Sequence, residues 1–174
     1  YLDYAPLKGL WGVELRNTDC YNAGINENNA WVWRELLRLG NKIYPLGTDD
    51  AHKIEDMGGA WIMVGAEKLE YTSVIDALEQ GDFYMSCGPE IYDLTIEGNT
   101  VKITCSDAAA VSLTNQGRLP RRVAAEPGKT IREATFDIEL FFEKADENSF
   151  IYLTVTDTNG NYATTRTYYL NELQ

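Results

Sequence analysis

The feature that most constrains this chain is a change of hydrophobic period near Gly88-Pro89. Before that point short apolar runs alternate with stretches of helical period. After it only period-two alternation remains. Such a change predicts two structural units, residues 1–88 and 89–174, built on different principles. A length of 174 residues suffices for two small cores.

In the first part, residues 10–15 form a short β-like run, followed by a polar stretch over 17–26. Residues 28–39 then carry helical spacing, with Ala30, Trp33 and Leu37 on one face and Leu36 widening the stripe. Asparagines ahead of this run suit a helix start, and Gly40 suits the left-handed position after its end. Residues 42–47 read as a second, buried strand, so strand, helix and strand make a βαβ unit whose home is a parallel sheet or barrel. A third strand is expected over 61–66, after Gly58-Gly59, and an amphipathic helix over 73–80 stopped by Gly81. Trp11, Trp31, Trp33 and Trp61 all fall in these elements, where core packing is their expected role.

In the second part, residues 91–97, 101–105, 110–114, 134–141, 150–156 and 162–170 are strand candidates. Asn99, Asn115-Gln116-Gly117, Pro127-Gly128 and residues 158–161 punctuate them as turns. Glu97-Gly98-Asn99 is a hairpin signal. Roughly six or seven short antiparallel strands at this spacing predict an immunoglobulin-like sandwich.

Chemistry concentrates in Thr48-Asp49-Asp50-Ala51-His52, which contains the chain's one histidine. On an extended segment residues two apart face the same way, so Asp50 and His52 are expected to project together from the carboxyl end of a parallel strand. A carboxylate beside an imidazole is a partial shell for zinc, manganese or iron. Two such residues alone are a common coincidence, and the segments around them are what give the pair weight.

Those segments are Gly12-Val13-Glu14-Leu15-Arg16-Asn17 before the pair and Gly58-Gly59 after it. Further on come Gly81-Asp82-Phe83-Tyr84-Met85-Ser86-Cys87-Gly88-Pro89 and, near the end, Thr156-Asp157-Thr158-Asn159-Gly160. In this order they resemble the C-terminal half of the PHP (polymerase and histidinol phosphatase) phosphoesterases, with an appended β-sandwich. The resemblance covers nearly the whole chain. It implies the last βα units of a distorted (β/α)7 barrel in residues 1–88 and the sandwich in 89–174. Asp50 and His52 match the family's last metal-ligand pair, Asp50 able to bridge two metals and His52 binding one. Glu14 and Asn17 match a segment at the barrel mouth with a supporting role, although Glu14 reads equally as a carboxylate pairing at a strand end. Asp49 is expected to support the ligands or cap the loop. Ser86 lies in a matching motif, but no second histidine exists to act as its base, so no nucleophile is assigned.

The family's complete site needs further histidines, and this chain has one. The chain, which opens at Tyr1, is therefore expected to be a truncated piece of a longer protein that holds few of the ligands, binds metal weakly or not at all, and is inactive alone. The parent is expected to hydrolyse a phosphate ester of a small molecule with metal-activated water. A competing reading from another class is a non-catalytic binding module built on the sandwich. A formal net charge of −12 speaks against nucleic-acid partners, and Arg118, Arg121 and Arg122, the one dense basic spot, read as a solvated loop. No run is apolar enough to suggest a membrane partner. Cys20, Cys87 and Cys105 show no ligand spacing and suggest reduced thiols in a cytoplasmic protein. A barrel remnant would expose edges and apolar faces, so self-association is expected.

Overall fold

The computed structural model describes residues 2–25, 29–117, 120–143 and 145–173. These form two compact units, Tyr1–Cys87 and Gly88–Gln174. The chain combines α/β and antiparallel β structure. Among the described residues no helix is long and apolar enough to cross a membrane.

The first unit opens with β1 (Gly12–Asn17), which runs directly into a short helix, α1 (Thr18–Asn22), within the stretch expected to be merely polar. Helix α2 (Asn29–Arg38) follows and buries Trp33, Leu36 and Leu37, whereas Ala30, expected on the same face, is exposed in the first turn. Gly40 has φ 82°, the left-handed conformation that a glycine tolerates at a helix end. Asn28, one of the expected capping asparagines, lies outside the described residues. Strand β2 (Tyr44–Thr48) then pairs with β1 in parallel, from Gly12 opposite Tyr44 to Asn17 opposite Thr48. Trp33 joins helix to strand segment, its indole N–H donating to the Ile43 carbonyl at 3.1 Å.

Beyond this βαβ unit the pairing turns antiparallel. Strand β3 (Trp61–Val64) pairs antiparallel with β4 (Phe83–Ser86) across the intervening α3 (Tyr71–Gln80). The excursion between the strands begins and ends at one place, with the Gly65 N–H donating to the Asp82 carbonyl at 2.7 Å. The chain therefore re-enters beside the end of β3 and must run back along it, Val64 opposite Phe83. Among the described residues no barrel closes, and in this unit parallel pairing is confined to β1 and β2. Two of the four tryptophans also depart from the core role: Trp11 and Trp31 are 41% and 46% exposed. Trp11 instead packs in a ring cluster with Tyr44 and Phe83, at centroid separations of 5.3 to 5.6 Å.

The second unit is built from antiparallel strands. One sheet has the order β5 (Ile91–Glu97), β6 (Thr100–Ala108), β9 (Ile131–Asp137). In the other, β7 (Ala110–Asn115) lies between β8 (Arg121–Ala124) and β10 (Phe150–Thr156). Strands β11 (Tyr162–Thr165) and β12 (Tyr168–Tyr169) pair one after the other along β10. Alternate residues from both sheets meet in one core, including Val101, Ile103, Val111, Leu113, Phe136, Ile151, Leu153 and Val155. The expected strand over 134–141 ends early. The Asp137 carboxylate accepts the Glu139 N–H and a one-turn helix follows, α4 (Glu139–Phe142), placing Ile138 and Phe141 in the core at helical rather than strand spacing. Strand β8 was not foreseen, and Arg118, which precedes it, lies outside the described residues.

Candidate metal centre

The site begins with an irregularity in the parallel pair. The register slips between Glu14 and Arg16, so Glu14 and Asn17, three positions apart, reach the same side of the strand. Asn17 is the hub. Its Oδ1 accepts the Cys20 N–H at 3.1 Å and so caps α1, while its Nδ2 donates to Asp50 Oδ2 at 3.2 Å and to Glu14 Oε2 at 3.4 Å. Glu14 Oε1 in turn accepts the Thr48 hydroxyl at 2.7 Å. Asn17 is buried, so this amide is oriented by fixed partners and not by solvent.

Asp50 and His52 follow the end of β2 and do not lie on extended backbone as the sequence suggested. Asp50 has φ 48°, the one positive φ outside glycine among the described residues. The turn, rather than strand alternation, brings the pair together: His52 Nε2 lies 3.5 Å from Asp50 Oδ1. A left-handed non-glycine residue costs on the order of 1 kcal/mol and persists only where its surroundings hold it.

Two buried or saturated carboxylates provide that hold. Asp49 accepts the N–H groups of Gly58, Gly59 and Ala60 at 2.6 to 3.0 Å, and the Thr18 hydroxyl at 3.0 Å. The Gly58 amide, helped by Ala60, Thr18 and Gly59, holds the Asp49 carboxyl below the usual carboxylate range against an opposing effect of desolvation. Asp49 is therefore a loop cap, with its oxygens already committed. Gly59 passes so close to Thr18 that a Cβ would collide with the threonine methyl, which explains a glycine there. Asp56 is fully buried. Its Oδ2 accepts the N–H groups of His52 and Lys53, each at 3.2 Å, and Lys53 Nζ lies 3.7 Å from Oδ1. The segment from Asp49 to Ala60 is thus pinned at both ends.

The third member of the cluster is Asp19, in the first turn of α1. One ligand atom each from Asp19, Asp50 and His52 lie within 4.8 Å of one another. Sequence reasoning missed Asp19 because the short helix was read as a polar stretch. The signal was an asparagine at a strand end with an aspartate two positions on, the pattern of a helix cap and its acidic first turn. Two carboxylates and one imidazole make a hard-to-borderline donor set that fits zinc, manganese or ferrous iron, with positions left for water. Asp50 and His52 are at least half exposed, so an ion and a substrate can reach them from solvent.

Elsewhere, Ser86 is completely buried in β4. None of the three cysteines is in a disulfide, and burial pushes the Cys105 thiol up. No family model, curated protein or solved structure matches this chain.

Proposed function

We propose that this chain is the C-terminal part of a PHP-type metal-dependent phosphoesterase, contributing Asp50, His52 and Asp19 to a divalent-metal site that hydrolyses the phosphate ester of a small molecule. In this reading residues 1–88 are the last βα units of a distorted barrel and 89–174 an immunoglobulin-like sandwich. The observation that carries it is the convergence of three ligand atoms within 4.8 Å beyond the carboxyl end of a parallel strand. Free thiols fit a reducing, cytoplasmic setting.

Each residue then has a task. Asn17 holds Asp50 Oδ2, which leaves Oδ1 on the side of His52. Glu14 fixes the Asn17 amide, and Thr48 fixes Glu14. Asp49 and Asp56 hold the turn from which the ligands project. A bound divalent ion would supply Lewis acidity and an acidified water. One histidine cannot complete the family's ligand set, so the chain alone binds metal weakly and does not turn over.

Manganese titration of the 15N-labelled chain tests this. Paramagnetic broadening should begin at residues 17–20 and 48–53. Substituting Asp50→Ala or His52→Ala should weaken it about tenfold or more, and Asn17→Ala by about tenfold through loss of orientation. Broadening centred elsewhere, or unchanged by these substitutions, overturns the assignment. An aryl phosphate with manganese should show no turnover above blank. Clear metal-dependent turnover would contradict the missing-ligand argument.

A further inference from the structure

Several side-chain cations among the described residues have a partner. Arg38, Lys53, Lys129 and Arg132 face carboxylates, and Arg16 and Arg166 lie over tyrosine rings. Arg121 and Arg122 of β8 differ. Neither side chain makes an ion pair or hydrogen bond among the described residues, although the chain has 27 acidic side chains against 15 basic ones. The Arg121 guanidinium lies only over the Phe141 ring, 6.0 Å from its centroid.

Both arginines border a cleft of about 360 Å3, whose other walls are Thr135, Phe136 and Asp137 of β9 and Leu140 of α4. In their sheets β8 pairs with β7 and β9 with β6, so the cleft lies between two strand edges. Successive strand residues point to opposite faces, and an edge is where two neighbours can reach one ligand. Asp137, the one carboxylate in the wall, already accepts the Glu139 N–H. Leu140 is 54% exposed, one of two large apolar side chains left exposed among the described residues of this unit. The volume falls near the lower end of small-molecule sites, roughly 300–1,000 Å3, and paired guanidiniums suit planar or tetrahedral oxyanions.

We propose that this cleft binds a small organic anion, its phosphate, phosphonate or carboxylate group held by Arg121 and Arg122 and its apolar body resting on Leu140. The solvated-loop reading of these arginines leaves their shared cleft without a role. This inference stands apart from the metal site and survives its failure.

The test is a titration of the 15N-labelled chain, in EDTA to remove divalent ions, with phenylphosphonate, benzoate and inorganic phosphate. Saturable amide shifts are expected in residues 121–124 and 135–141, with phenylphosphonate or benzoate binding more tightly than phosphate. Whichever aryl anion binds more tightly identifies the preferred head group. The double substitution Arg121→Gln/Arg122→Gln should weaken binding about tenfold or more while the remaining spectrum is retained. Leu140→Ser should weaken the aryl anions but not phosphate, and serves should the double variant misfold. Shifts that do not saturate, that centre on residues 48–53, or that survive both variants would overturn the proposal.

Discussion

The two units reach a defined geometry by different means. In the second, strands of up to nine residues bury their inner faces in one shared core. In the first, the strands have four to six residues, and among the described residues every exposed large apolar side chain except Tyr92 and Leu140 lies there. What holds the turn of the candidate site in the first unit is a set of carboxylates, Asp49 with four donors and Asp56 with two, and the Asn17 amide. Apolar burial is proportional to area and indifferent to direction, so it suits a sheet. Hydrogen bonds are short and directional, and they can fix two ligand atoms at a set separation without a large core around them.

Three substitutions would break or sharpen this contrast. The largest effect is expected at Leu153, which is fully buried in the second unit's core. Leu153→Ala should cost about 3 kcal/mol, read as a lower urea midpoint at unchanged slope. A loss under about 1 kcal/mol would mean that the core is not what holds this unit.

Asp49→Ala should come next, at about 2 kcal/mol, because it strands several backbone donors at once. Amide exchange should rise first at Gly58, Gly59 and Ala60, and manganese broadening at residues 48–53 should weaken. The pH dependence has a definite sign. The folded-state carboxyl is depressed, so its stabilisation is full above the ordinary value of 3.8 and fades as pH falls through the lower folded value. Wild-type protection of those amides should decline over that range, and the variant should lack the decline. Equal protection in both proteins at neutral pH would remove Asp49 from its role.

The smallest effect is expected at Asp107, a surface carboxylate of the second unit that Arg132 holds through two contacts. Arg132, with help from Thr130, holds it at about 2. The pair is open to solvent, where such contacts contribute little. Asp107→Ala should leave the neutral-pH midpoint unmoved within error. Any contribution from the pair should vanish as pH falls from 3.8 through about 2. A large shift at neutral pH would show that polar contacts also govern the sheet unit.

Legibility followed the same divide. Strands over 91–97 and 150–156 were readable to the residue, because antiparallel strands with one buried face write a period of two into their own sequence. The failures in that unit came where the chain changes period within a few residues, as at Ile138 and Phe141, or where a strand is only four residues long, as in β8. In the first unit the βαβ pairing was readable but the return of β4 along β3 was not, since Gly65 and Asp82 meet through a contact spanning α3. At the candidate site Asp50 and His52 could be named from their spacing, although the assumed strand geometry was not the cause of their meeting. Asp19 could not be named without α1, whose five residues are too few to show a period.

Local order therefore belonged to the sequence: where the chain changes from mixed to purely β character, which segments extend or coil, and which side chains offer carboxylate or imidazole groups. Those properties depend on near neighbours and on a repeating hydrophobic pattern. The approach of Asp19 to Asp50 and His52, the left-handed turn at Asp50, and the cleft between β8 and β9 were decided by tertiary structure alone. Each depends on groups far apart in the chain being held within a few ångströms, and short-range patterns carry no record of that separation.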